Sequence, residues 1–410
     1  MPKAFYELEP MAETESETKA ETPDAPKPED SPLRSVHTTS FPPIARQFGS
    51  VAVTTYQAGK LVFLRPEHRE SDWVLNTHFR NARKPMGFAW QPGRFALGAA
   101  TEIWEYHDLP AVAPKLNKPD SLQKHDACFL PRTAHVTGDI QIHEMVWLPA
   151  PAKRPADGAD NAGPVLPELW FINTRFSCIA TRSNIYSFLP RWRPPFIDAL
   201  APEDRCHLNG LALRDGKIRY VTALGATNTK GGWRENKRAG GVLIDVPTNE
   251  IITTGLSMPH SPRWHNNKLW LLESGNGGVG LVDERTGKYE EILKLPGFTR
   301  GLDFAGPYAF VGLSQVRETA VFSGIAIAEM KQEDRCCGVW VIDTRTAQIA
   351  GFVKFTQGVQ EIFAVQVLSG LLWPEVLSEG ERLAESFELP DQALQLVPSE
   401  LRQPSARRPA

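Results

Sequence analysis

Short apolar segments recur six times along this chain, each behind a polar, turn-like lead. They are PMGFAW (85–90), HEMVWL (143–148), HLNGLAL (207–213), HSPRW (260–264), RGLDF (300–304) and QEIFAV (360–365). Most are followed, after a turn, by a second apolar run: RFALGAA, ELWFINT, IRYVTALG, KLWLLESG and YAFVGLS. Three units add a third run ending in Asp and a fourth beyond a tight turn: LIDVPTNEII, LVDERTGKYEEI and VIDTRTAQIAGF. Asp245, Asp283 and Asp343 sit where a short polar side chain bonds the local backbone of a turn, so their reading is structural.

The starts lie about 40 to 64 residues apart, the period of a four-stranded unit lengthened by insertions. The longest insertion, PAPAKRPADGADNAGPVLP, separates the first two strands of its unit. The last start has no following strands, whereas SVAVTTY, KLVFLR and DWVLNTH near the N-terminus have no start. Joining the two ends completes one unit and removes the open sheet edges. The expected fold is therefore all-β: a β-propeller of six four-stranded blades, with N- and C-terminal strands sharing the closing blade. The ring is expected over 48–373. A Pro-, Glu- and Ser-rich segment (1–47) reads as a disordered tail, and 374–410 as a partly disordered one.

Composition narrows the function. A net charge of −3 and an isoelectric point near 6.4 give no electrostatic footprint for nucleic acid or an anionic membrane. No apolar run approaches the ~18 residues of a membrane span. Five cysteines without a C-x-x-C pair are no disulfide framework, and with no signal-peptide layout at the start they point to the cytoplasm. Neither a G-x-S-x-G elbow nor a glycine-rich phosphate loop is present.

In a propeller the innermost strands line a channel, and the loop before each opens on the same face as the loop between the second and third strands. Both sets are polar here. Before the inner strands stand His143 with Glu144, His207 with Asn209, His260, Arg300 and Glu361. The other loops supply Tyr56, Asn173, Arg175, Asn228, Ser274, Asn276 and Arg317. Three histidines at equivalent positions of consecutive blades have the ligand type for Zn²⁺ or another divalent transition ion, with Ca²⁺ a poorer match. Glu144 or Glu361 is then ligand or base, Arg300 an anion clamp, and Tyr56 a general acid or base. The remaining loop residues are expected to bind ligand. A basic loop carrying Trp233, TKGGWRENKRAGG, reads as a solvated lid or edge.

The phrases TGDIQIHEMVW, CHLNGLAL, GLSMPHSPRWH, LPGFTRGLDF and GVQEIFAV resemble a family of bacterial proteins of unknown function, over about residues 45 to 373. More loosely, the blades resemble six-bladed propellers of the NHL, gluconolactonase and amidating-lyase kind. That resemblance implies a metal on the channel axis, held by histidines from separate blades, as His143, His207 and His260 would do. Two functions are expected in competition. One is binding of a small polar or anionic ligand on a channel face, as in a metal-dependent hydrolase or lyase. The other is a non-catalytic platform for a protein partner.

Overall fold

The computed structural model describes residues 33–149, 167–316, 322–378, 383 and 386–399. The 1–32 part of the expected tail, the long insertion from 150 to 166, and Arg317 lie outside these residues. Six antiparallel sheets form the ring. Blade 1 runs through Phe88–Gln91, Arg94–Gly98, Glu102–Asp108 and Ala127–Val136, and blade 2 through Ile142–Leu148, Glu168–Asn173, Cys178–Thr181 and Leu189–Trp192. Blade 3 comprises Leu208–Arg214, Lys217–Ala223, Gly241–Asp245 and Glu250–Leu256. Blade 4 comprises Pro259–His265, Lys268–Glu273, Gly278–Val282 and Tyr289–Lys294, and blade 5 Phe298–Ala305, Tyr308–Ser314, Gly338–Asp343 and Gln348–Gln357. Blade 6 closes the ring: Val365–Ser369 pairs in register with Gly49–Thr55, which leads to Lys60–Arg69 and Asp72–Asn81. The six-blade count and the shared closing blade are as the sequence implied.

The blades are buried on both faces, which is why their middle strands read as unbroken apolar runs rather than alternations. Ile172, Ile179, Leu208, Val221 and Ile244 make one interblade layer, and Leu272, Val311, Leu313 and Ile342 contribute to another. At the blade rims Asp245, Asp283 and Asp343 accept backbone N–H groups of Thr248, Thr286 and Arg345 at 3.2, 2.8 and 3.0 Å, the turn role expected of them.

Ordered structure reaches past both expected ring boundaries. Arg34–His37 adds a fifth strand to blade 5. The helix Phe41–Phe48, started by Pro42 and Pro43, buries Phe41, Ile44 and Ala45 against Val51, Phe310 and Val353. At the other end, Pro374–Val376 pairs in parallel with Ala127–Phe129 of blade 1. These segments were grouped with the tails because their apolar residues are too few to show periodicity. The C-terminal one is held by capping and charge. Asp126 accepts the Trp373 N–H at 2.9 Å. The Glu375 carboxylate, 8 % exposed, bonds His78 and Arg80 of blade 6 at 2.8 Å each.

Burial alone would raise the Glu375 pKa, but His78, the Val376 N–H and Arg80 outweigh it and hold the carboxyl at about 2. A carboxylate depressed below its unfolded value stabilises the fold above that value, and the contribution fades as pH falls through the folded value. Glu375→Gln is expected to destabilise the protein by roughly 2–4 kcal/mol at pH 7. In chemical denaturation, the gap from wild type should narrow steadily between about pH 4.5 and pH 2.

Candidate functional site

One end of the channel is built from an irregularity repeated in four neighbouring blades. In blades 2 to 5 the inner strand carries one residue more than its partner. Two inner-strand residues therefore face one partner residue: His143–Glu144 opposite Ile172, Asn209–Gly210 opposite Thr222, Ser261–Pro262 opposite Leu271, and Arg300–Gly301 opposite Gly312. Such bulges bend the strand and re-aim the extra side chain. Glycine is needed where they are tightest: Gly301 has φ +81°, and a Cβ there would come 2.7 Å from the Val365 nitrogen.

The register corrects one expectation. The three histidines come from three adjacent blades but not from equivalent positions. His143 lies in its bulge, His260 immediately before one, and His207 two residues before one. His143, Asn209, Ser261 and Arg300 are the true equivalents.

Backbone strain collects here too. Gln141, Asp204, His207, Met258 and Ser261 all have φ near +50°, a conformation that costs a non-glycine residue free energy and is concentrated at functional sites.

A cavity of about 20 Å³ is lined by His143, Glu144, Asn209, His260, Ser261, Arg263, Arg300 and Phe363, among others. That space holds a water-sized group and opens towards the channel mouth. Arg300 lies with its guanidinium carbon 3.7 Å from the centre of the Phe363 ring and 5.8 Å from that of Tyr56. Burial draws its pKa down to about 9, opposed by the nearby Glu144 charge. Glu144 itself is held in an ion pair by Arg263.

The imidazole tautomers follow from their partners. His143 Nδ1 lies 2.8 Å from the Gln141 carbonyl and 2.7 Å from Thr174 Oγ1. The Thr174 hydroxyl spends its proton on the Leu208 carbonyl at 2.6 Å, so both of these oxygens accept and Nδ1 carries the hydrogen. His143 Nε2 is then a buried lone pair with no partner among the described residues. His260 repeats the pattern, donating Nδ1–H to the Met258 carbonyl at 2.9 Å. His207 donates Nδ1–H to Asp204, whose two oxygens lie at 3.0 Å and one of which also accepts Trp233 Nε1–H at 3.0 Å. The His207 ring meets His143 edge-on, centres 4.9 Å apart.

Other expected site residues are placed elsewhere. Arg175 clasps Asp139 across two loops at 2.6 Å. Asn228 accepts from the Asp198 backbone and from Arg205. Asn173 is fully buried and turns its oxygen to the Phe176 N–H. Asn209 lines the cavity but is tied to the Pro259 carbonyl and Thr222. Ser274 lies beneath His260, 3.1 Å from its Nδ1. Asn276 and Glu361 are not among the cavity residues. Glu361 is nevertheless buried, with no ion-pair partner among the described residues, and burial pushes its pKa up to about 7.

Asp204, Arg263 and Phe363 carry no site reading in the sequence. For Asp204 a signal existed, an acid three residues before His207. In the basic loop Lys230, Arg234 and Arg238 are exposed, but Trp233 is 2 % exposed, packed with Leu224, Met258 and Phe298 and 4.6 Å from the His207 ring.

Among the described residues no group of three or more His, Cys, Asp and Glu is arranged to hold a metal ion. The Arg300 charge also acts on both His143 and His260, opposing a second cation there.

A family description, domain of unknown function DUF4915, matches residues 40–377, the whole ring with its flanking segments. The chain belongs to this family. No curated protein matches it. Among solved structures it is similar to a chain of a nidogen–laminin complex (9% identity, 77% of this chain, 97% of that chain, TM-score 0.42). It is also similar to virginiamycin B lyase from Staphylococcus aureus (13%, 80%, 99%, 0.32) and to a streptogramin B lyase (12%, 75%, 90%, 0.36). These likenesses extend to the propeller fold alone. No helix among the described residues is long and apolar enough to cross a membrane.

Burial, with Arg300 close by, holds His143 and His260 well below the usual histidine pKa. The unfolded chain takes up these protons near pH 6.5 while the folded one does not, so stability present above that pH is lost as it falls. Each imidazole should contribute up to about 1.4 kcal/mol of loss per pH unit below 6.5. Denaturation of wild type and His143→Leu at several pH values checks this: the variant should show the shallower slope.

Proposed function

We propose that this protein binds a small anionic polar ligand, end-on, in the channel cavity between Arg300 and the Nε2 atoms of His143 and His260. The observation that carries the reading is Arg300. Its guanidinium is packed against Phe363 and lines the cavity, and it makes no ion pair or hydrogen bond to a protein acceptor among the described residues. A charged group so enclosed is costly unless something pairs with it, and a ligand anion supplies the pair. The ring face of Phe363 orients the planar fork, leaving its edge for bidentate contact.

The neighbouring imidazoles give the site acid–base capacity. His143 Nε2 accepts a proton or a hydrogen bond from the ligand. His207 stands beside it, oriented by the Asp204 carboxylate. The pattern fits a proton-transfer reaction of the lyase or hydrolase kind, run by side chains alone. A second reading keeps the metal, since the two Nε2 lone pairs are of the ligand type for a transition ion.

The test is thermal unfolding at pH 7 in acetate, propionate, phosphate and sulfate, for wild type and Arg300→Gln, with Zn²⁺ and Mn²⁺ as separate additions. At about ten times the Kd, an anion should raise the wild-type Tm by roughly 2 °C, and the variant should not respond. Equal responses of the two proteins would remove the channel as an anion site. Interaction with a protein partner would then be the better account of the ring. A stoichiometric metal that stabilises wild type and not His143→Leu would favour the second reading.

A further inference from the structure

The ligand class can be narrowed by asking which donors and acceptors the cavity leaves unsatisfied. On the donor side is the Arg300 fork. Beside it stands Ser261, 5 % exposed, whose Oγ accepts the Gly301 N–H at 3.1 Å. The Ser261 hydroxyl proton has no acceptor of its own among the described residues. Both donors suit one carboxylate. On the acceptor side is the buried, unpartnered Nε2 of His143, with His260 Nε2 in the same lining. Their tautomers are fixed by the backbone carbonyls behind them, so neither can offer a hydrogen while neutral. A plain carboxylate satisfies the donors and leaves the imidazoles unpaired. A ligand that carries a donor next to its carboxylate satisfies both.

That donor is either a hydroxyl or an ammonium, and the charges choose between them. Arg300 acts on both histidines. The Glu144 carboxylate, which could otherwise attract an ammonium, is engaged by Arg263. Asp303, the next acid along the channel, accepts from Gln366 Nε2 and the Val367 N–H at 2.6 and 2.7 Å. An ammonium placed at His143 would face the Arg300 cation with no unengaged carboxylate in the cavity lining, whereas a hydroxyl would meet no such repulsion. The cavity, about 20 Å³, admits a water-sized part of this head group and leaves the remainder of the molecule outside it.

We infer that the site recognises a 2-hydroxycarboxylate terminus, with the carboxylate on Arg300 and Ser261 and the hydroxyl donating to His143 Nε2. The inference rests on the anion-binding reading above and adds the chemical class to it. An isosteric set separates the two: propionate, lactate, alanine and lactamide, titrated against the intact protein by calorimetry and thermal shift at pH 7.

Lactate is expected to bind about tenfold more tightly than propionate, the worth of one hydrogen bond otherwise left unmade. Alanine should bind more weakly than lactate, and lactamide should not bind. In His143→Leu, checked for folding by circular dichroism, lactate and propionate should become equal. Propionate binding as tightly as lactate in wild type would overturn the hydroxyl assignment while leaving the anion reading intact. Alanine binding at least as tightly as lactate would overturn it too. Lactamide matching lactate, or no binding by any of the four, would overturn the anion reading itself. The wild-type series decides without any variant.

Discussion

The pairing of Val365–Ser369 with Gly49–Thr55 closes the ring, and the channel site depends on it. Thr54 does most of this at the level of single bonds. Its backbone exchanges hydrogen bonds with Phe363 and Ala364 at 2.8 and 3.1 Å. Its hydroxyl donates to the Met86 carbonyl of blade 1 at 2.6 Å and accepts the Ala364 N–H at 3.0 Å. The closing blade is thereby pinned to blade 1, and Phe363 is fixed in the wall. Phe363 in turn carries Arg300 from blade 5 on its face and touches the His143 ring from blade 2, centres 4.8 Å apart. A single aromatic ring, set by the ring closure, joins the cation and the base of the site.

The electrostatics follow from how that wall is assembled. Arg300, Glu144, Arg263 and Asp303 alternate in sign down the channel. The carboxylates are engaged by Arg263 and by Gln366 with the backbone, and Arg300 is left without an ion pair or hydrogen bond among the described residues, against the rings of Phe363 and Tyr56 with Glu144 nearby. Burial pushes Asp303 up to about 6, so the balance of the column holds at neutral pH and weakens in acid. The same burial that draws Arg300 down keeps His143 and His260 uncharged. Neutral bases next to a cation are a useful combination, since they can take a proton from a bound acid without competing for its charge.

The architecture was legible in the sequence because blades are apolar on both faces, and their strands stand out as runs separated by turn residues. The unmatched strands at the two ends gave the closure for the same reason. The site was legible only in part. His143, His207, His260, Glu144, Arg300 and Tyr56 do come to one end of the channel, since they lie at or just before the start of inner strands or join second to third strands. Their register was not legible. One extra residue in an inner strand leaves the apolar pattern almost unchanged, yet moves His260 and His207 out of equivalence with His143 and brings Ser261 in. Arg175 and Asn228 have the polarity of site residues, but side chains on these loops find nearer partners in Asp139 and Arg205. The C-terminal segment was hidden because a single buried carboxylate, Glu375, holds what periodicity usually announces.

The central claim is that Arg300 and the Nε2 atom of His143 share one ligand. A crystal structure of the intact protein grown with lactate tests it most directly. The account predicts a carboxylate in the plane of the Arg300 guanidinium and a hydroxyl oxygen within about 3.2 Å of His143 Nε2. A channel in which Arg300 instead pairs with a protein carboxylate, with lactate absent or seated elsewhere, would contradict it.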